Sequence, residues 1–201
     1  MFSLTTPAIS IASVVGILGA IATFLVFKGL NQHQKTVFKG VIAALFFSTV
    51  FVAIAYFFVS LPLPVLDTAE QRLIFTLRWQ IFPALMLFAG VAAIGNERFL
   101  SPAINPLAGV ESDKTRVHLR YLSNTLEQFV LFFVASLILS TFLDNPSIKL
   151  IPILATLFVF GRIAFWLGYL QNSLYRAFGM GVTLYPTAAI LFYDTYRMLG
   201  G

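Results

Sequence analysis

The sequence predicts an all-α integral membrane protein with about six membrane-spanning helices. Of its 201 residues, 59% are hydrophobic and only 10% are charged. A soluble domain of this length would need about a quarter of its residues charged to keep its surface hydrated. No alternating pattern of strand length recurs, which argues against a membrane β-barrel. The same composition excludes a disordered or nucleic-acid-binding protein.

Six apolar runs approach the length of roughly 20 residues that a helix needs to cross a bilayer. They cover residues 9–27, 41–61, 73–94, 122–142, 148–169 and 182–198. No Lys or Arg precedes the first run, so we interpret it as a retained span rather than a secretory signal. The last run contains Asp194 and Arg197, which are expected to pair because they lie three residues apart on a helix.

Basic residues concentrate in the odd-numbered loops between these runs. They are Lys28, Lys35 and Lys39 in the first loop and Arg98, Lys114, Arg116 and Arg120 in the third. Because loops rich in Lys and Arg remain on the cytoplasmic side, both termini of this multi-pass protein are predicted to be non-cytoplasmic.

The start of the fourth run carries a polar stripe on an otherwise apolar helix. Arg120, Asn124 and Glu127 follow one another at intervals of four and three residues. At about 100° per residue, they fall within roughly 60° of one another around the helix. Ionisable groups in lipid cost several kcal/mol unless they face protein or water, so this stripe is a candidate functional site.

A second stripe lies on the fifth run, where Arg162, Tyr169 and Arg176 share one arc if the helix continues. Only the turn-like residues 144–147 separate the two runs, which predicts an antiparallel hairpin. The hairpin brings both stripes to the same cytoplasmic depth. We therefore expect them to meet, with Glu127 and Arg162 forming an ion pair.

Several kinds of catalytic machinery are missing from the sequence. It has no cysteine, which excludes a protein thiol nucleophile and a zinc-thiolate site. His33 and His118 are predicted to lie in polar loops without the spacing of metal ligands, so no metal site is expected. Neither a Gly-x-Ser-x-Gly elbow nor a P-loop occurs. Any sulfur chemistry must therefore come from a ligand.

The two stripes resemble motifs of the MAPEG family, the membrane-associated proteins of eicosanoid and glutathione metabolism. The segment that begins at Arg120 and contains Asn124 and Glu127 resembles the family's Arg-x3-Asn-x2-Glu motif. The segment from Arg162 to Arg176 resembles the pattern of its third helix. The resemblance covers residues 73–201 and implies a MAPEG-like four-helix transmembrane domain at 67–201. Two additional transmembrane helices would then precede it in residues 1–66.

This resemblance implies a homotrimer that binds glutathione between subunits near the cytoplasmic face. It implies that Arg176 stabilises the glutathione thiolate. The binding residues that we infer beside it are Arg98, Arg120, Asn124, Glu127, Arg162 and Tyr169. The implied function is a membrane-bound, glutathione-dependent transferase or peroxidase that acts on lipophilic electrophiles or lipid hydroperoxides.

Two positions depart from the family pattern. Gln128 stands where catalytic members usually have tyrosine, and Phe165 replaces a tyrosine that is common in the third-helix motif. Some members of the family bind lipids or scaffold other enzymes without catalysis. A non-enzymatic lipid-binding or scaffolding membrane protein is therefore the alternative. A small transporter is a third interpretation, although no inverted repeat supports it.

Overall fold

The structure, a computed structural model, describes residues 29–105, 107 and 109–201 and is all-helical over this part of the chain. The helices are α1 (Gln32–Phe58), α2 (Ala69–Trp79), α3 (Ile81–Phe99), α4 (Asp113–Phe142), α5 (Leu150–Gln171) and α6 (Arg176–Met198). A short 3-10 helix, Pro102–Ile104, lies between α3 and α4. The all-α prediction is thus confirmed for the described residues, whereas the predicted span at 9–27 lies outside them.

Four helical segments are long and apolar enough to cross a membrane. They are Gln32–Phe58, Ala69–Phe99, Asp113–Phe142 and Leu150–Gln171. The second of these joins α2 and α3. The predicted sixth span corresponds to α6, which is not among the four. These segments agree with an integral membrane protein that crosses the bilayer several times.

Helix α4 begins well before the apolar run that predicted it. Ser112 caps its first turn, where the Ser112 hydroxyl accepts a 3.0 Å hydrogen bond from the Thr115 backbone N–H. The polar residues that follow Ser112 are therefore helical. His118 lies within α4 and is buried, and His33 lies within α1. The prediction that both histidines lie in loops is wrong, because hydropathy locates only the apolar part of a helix.

The helical segment Ala69–Phe99 is interrupted at Gln80, between α2 and α3. Pro83 explains the break, because a proline lacks the N–H that would bond to the carbonyl of Trp79 and its ring crowds that carbonyl. The side chain of Gln80 fixes the junction by donating a 2.9 Å hydrogen bond from Nε2 to Ser136 Oγ on α4.

Helix α5 is the centre of the bundle and contacts each of the other five helices of the described chain. The backbone of α5 packs directly against the backbone of α6. A Cβ atom added to Gly179 would lie 2.1 Å from the backbone nitrogen of Phe165, and one added to Gly161 would lie 2.6 Å from Thr183 Cγ2. Small residues allow such close packing in membrane proteins. Helix α1 packs on α6 in a similar way, where Gly181 faces Ala44.

Candidate functional site

Arg162 lies at the centre of a buried polar network between α4, α5 and α6. Its guanidinium is fully buried. Nη1 donates a 2.9 Å hydrogen bond to Asn124 Oδ1, and Nη2 donates to Thr183 Oγ1 at 2.9 Å and to the Gly179 carbonyl at 3.4 Å. The guanidinium carbon also lies 4.6 Å from the centroid of the Phe165 ring. Neutral acceptors and an aromatic face thus replace water around this cation.

The predicted ion pair between Glu127 and Arg162 is not formed within the described chain, because Glu127 lies on the exposed side of α4. Asn124 and Gln128 are four residues apart and face the bundle, whereas Glu127 is rotated about 100° from Gln128. Gln128 is buried, and its Oε1 accepts a 3.4 Å hydrogen bond from Thr183. Arg162 therefore bonds to the side-chain amide of Asn124 and not to the carboxylate of Glu127.

Arg176 and Tyr169 lie together at the junction of α5 and α6. The Arg176 guanidinium carbon is 4.9 Å from the Tyr169 ring centroid, and its Nη1 donates a 2.7 Å hydrogen bond to the Ser173 carbonyl. Tyr169 meets Phe165 edge to face at 5.7 Å. The two arginines are therefore linked through two aromatic rings. Arg162 contacts Phe165, Phe165 contacts Tyr169, and Tyr169 contacts Arg176. Both Tyr169 and Arg176 are partly exposed, so a ligand can reach them.

The structure thus brings the predicted binding residues together in two groups, Asn124 with Arg162 and Tyr169 with Arg176. Arg120 and Glu127 lie on the exposed side of α4. Arg98 is half-buried and forms a 2.5 Å ion pair with Glu111. Among the described residues, no hydrogen bond or ion pair joins Arg98, Arg120 or Glu127 to either group.

A cluster that the sequence did not reveal packs beside this network. Trp166 Nε1 donates a 3.0 Å hydrogen bond to Nδ1 of the buried His118. The Trp166 ring stacks on Tyr121 with centroids 4.2 Å apart, and the Tyr121 hydroxyl donates to the Met86 carbonyl at 3.0 Å. His118 and Tyr121 precede the apolar run at 122–142. Only the cap at Ser112 could have indicated that they lie on the helix.

The predicted pair of Asp194 and Arg197 on α6 is also wrong. Arg197 Nη1 donates instead to the Tyr193 hydroxyl at 2.9 Å, and its guanidinium carbon lies 5.1 Å from the Phe142 ring centroid. Asp194 is buried, and neither carboxylate oxygen has a hydrogen-bond partner among the described residues. Arg197 thus turns its guanidinium toward aromatic rings rather than toward the carboxylate.

An apolar groove of about 500 Å³ runs along α1 beside α2 and α5. Its lining includes Phe46, Val50, Ile54, Trp79, Pro152 and Thr156. The Thr156 hydroxyl donates a 2.8 Å hydrogen bond to the Pro152 carbonyl, so its hydrogen does not point into the groove as a free donor. The lining of the groove is thus almost entirely apolar and suits an apolar group.

A sequence model described as the MAPEG family matches residues 49–193 of this chain. Transmembrane protein 79 of Mus musculus is 32% identical over 158 residues, which are 79% of this chain and 40% of that protein. Transmembrane protein 79 of Bos taurus is 31% identical over 144 residues, which are 72% of this chain and 36% of that protein. The chain therefore spans less than half the length of these relatives. No solved structure matches it.

Proposed function

This chain belongs to the MAPEG family, and on that premise we propose that it is a membrane-bound, glutathione-dependent transferase or peroxidase. Its substrates would be lipophilic electrophiles or lipid hydroperoxides that reach the site through the bilayer. The observation that carries the proposal is the partly exposed Arg176 guanidinium, held beside the Tyr169 ring by a hydrogen bond to Ser173. A fixed guanidinium favours the anionic form of a neighbouring thiol.

The charges on α4 and α6 match those of glutathione, which carries two carboxylates, one ammonium and one thiol. Guanidinium groups such as Arg120 bind carboxylates through paired hydrogen bonds, and Glu127 suits the ammonium. In a transferase reaction, the thiolate donates its electron pair to a carbon atom of the electrophile, and the leaving group departs. Stabilising the thiolate by about 1.4 kcal/mol multiplies its equilibrium constant of formation about tenfold.

We propose that a neighbouring copy of the chain in a homotrimer completes the site. Glu127 lies about 21 Å along α4 from Asp113 and is exposed on a helix that can span the membrane. A carboxylate in contact with lipid is costly, so Glu127 is stable there only when polar groups from outside its own protomer cover it. A second copy of the chain, with the glutathione ammonium bound between the two copies, would supply that cover.

Titration of glutathione with the purified full chain tests the proposal. Thiolate absorbance near neutral pH is expected with the unmodified chain and should be lost in Arg176→Ala. Arg197→Ala is the matched control, because that guanidinium already interacts with Tyr193 and Phe142 on the described chain. Absence of thiolate with the unmodified chain, or equal loss in both variants, would overturn the proposed role of Arg176.

A second candidate function is a non-enzymatic lipid-binding or scaffolding membrane protein. The apolar groove favours it, as does Gln128, which is turned inward toward Thr183 at a position where catalytic members usually have tyrosine. Native mass spectrometry distinguishes the two candidates. Retained lipid without bound glutathione would support this second function, whereas glutathione bound to the trimer would support the first.

We further propose that both termini are non-cytoplasmic, because basic residues concentrate in the first and third loops. The chain contains no cysteine, so a single Asp113→Cys variant can report the side of the third loop. A membrane-impermeant thiol reagent should label this cysteine only after the membrane has been permeabilised. Labelling of intact cells would reverse the assignment.

A further inference from the structure

The stretch from Phe99, the last residue of α3, to Val110 carries a cluster of exposed apolar side chains among its described residues and is called the apolar loop below. Its five large apolar residues are between 53% and 93% exposed, and they are Phe99, Leu100, Ile104, Leu107 and Val110. No charged residue occurs between Phe99 and Val110. Single exposed apolar residues are common on proteins, but a contiguous cluster marks a surface that contacts something.

Two ion pairs close the base of the apolar loop. Arg98 Nη2 lies 2.5 Å from Glu111 Oε1, and Lys114 pairs with Glu97. Within the loop, the buried side chain of Ala103 anchors the 3-10 helix to the bundle. The charged side chains therefore gather where the loop leaves α3 and enters α4, while the segment between them is apolar.

The exposed apolar surface of the loop continues the lipid-facing side of α3. Phe88 and Phe99 are both exposed, and Phe99 follows three helical turns after Phe88 within about 20° of the same direction. Leu85 is exposed on the same side. Because α3 belongs to a segment that can span the membrane and Phe88 is exposed on it, we infer that Phe88 faces acyl chains. The surface that contacts lipid on α3 therefore leads directly into the apolar loop.

Helices α3 and α4 both belong to segments that can cross the bilayer, so the loop between them leaves and re-enters at one membrane surface. We propose that the apolar loop folds onto this surface and inserts Leu107 and its apolar neighbours into the interfacial region of the bilayer. An interface of this kind accepts short apolar segments beside a charged edge. Arg116, exposed at the start of α4, lies where it can contact lipid phosphates.

The absence of cysteine allows a probe to be placed at a single site. An environment-sensitive fluorophore is attached to Leu107→Cys in the full chain, reconstituted in vesicles of phosphatidylcholine and phosphatidylglycerol. Asp113→Cys is the matched control, because its side chain is 95% exposed at the polar base of the same loop. Quenching by iodide should be about threefold weaker at position 107, and quenching by nitroxide lipids labelled near the headgroup should be stronger there.

Equal iodide quenching at the two positions would overturn the proposal. A probe at position 107 that is protected from both iodide and nitroxide lipids would also overturn it, because protein, such as a second copy of the chain, would then cover the loop. A fluorophore on Ile104→Cys must show the same pattern of iodide and nitroxide quenching as one on Leu107→Cys. None of these results depends on glutathione, so the failure of this inference and of the proposed enzymatic function are distinguishable.

Discussion

Arg162 Nη1 and Asn124 Oδ1 lie 2.9 Å apart, and this hydrogen bond joins α5 to α4 inside the bundle. The guanidinium is fully buried, its acceptors are neutral, and its Nε has no partner among the described residues. A buried cation is tolerated when hydrogen bonds and aromatic faces replace its hydration. Arg162 therefore holds α4, α5 and α6 in place behind the surface where we propose that a ligand binds.

Replacing Arg162 with alanine is expected to lower the free energy of unfolding by about 3 kcal/mol. The change leaves Asn124 and Thr183 without their partner and opens a cavity. Thermal unfolding in detergent, followed by circular dichroism, measures the effect. Arg116→Ala is the control, because that side chain is 68% exposed and should contribute less than about 0.5 kcal/mol. Equal stability of the two variants would mean that the network adds nothing.

Replacing Gly179 with alanine should destabilise the fold by more than about 2 kcal/mol. The added Cβ would lie 2.1 Å from the Phe165 nitrogen, so α5 and α6 would have to separate. Gly95→Ala is the matched change, because Gly95 is exposed on α3 and its added Cβ would meet no atom within 4 Å beyond its chain neighbours and the adjoining backbone of its own helix. That control should be neutral or slightly stabilising, since alanine favours helix. Unfolding midpoints that fall equally in both variants would contradict the close contact.

Replacing Glu127 with leucine should reduce the trimeric fraction about tenfold if a neighbouring subunit covers the carboxylate. Leucine removes the charge that needs a partner across the subunit contact. Native mass spectrometry of the detergent-solubilised protein measures the change. Glu70→Leu makes the same substitution at an exposed glutamate in the first turn of α2 and should leave assembly unchanged. An undiminished trimer in Glu127→Leu would place this residue outside the subunit contact.

Replacing His118 with alanine should cost about 1 to 2 kcal/mol of stability and change the fluorescence of Trp166. The indole N–H loses its acceptor at 3.0 Å, although the Tyr121 ring still stacks on the indole. Denaturation monitored by tryptophan emission gives both quantities. His33→Ala serves as the comparison, because His33 is exposed on α1. Matching emission spectra for the two variants would argue against the hydrogen bond.

Local sequence signals predict the hairpin of α4 and α5 well. Residues 144–147 combine Asp, Asn, Pro and Ser, and the observed helices end at Phe142 and begin at Leu150, within two residues of the predicted bounds. The start of α4 was missed because most of residues 113–121 are polar, which lowers the mean hydropathy of this first part of the helix. Pro83 inside the apolar run 73–94 predicts a kink in that helix, but apolar residues continue on both sides of Gln80, so hydropathy does not locate the break.

Helical periodicity identifies which residues of the candidate site share a face of a helix. It does not identify which part of that face is buried in the bundle. Asn124 and Glu127 fall within one arc of about 60°, yet Asn124 bonds to Arg162 while Glu127 is exposed. The boundary between them depends on how closely α5 and α6 approach α4. The position of α6 on α5 follows from Gly161 and Gly179, whose tertiary partners a single sequence does not reveal.

The backbone contact between α5 and α6 has a consequence for biogenesis. Only residues 172–175 separate the two helices, so their mutual contacts are local in sequence and can form early. Two of the groups that bond to Arg162, the Thr183 hydroxyl and the Gly179 carbonyl, lie on the other helix of this hairpin, so the hairpin alone can supply hydrogen bonds to the guanidinium. The translocation machinery would then never have to deliver a bare guanidinium into hydrocarbon.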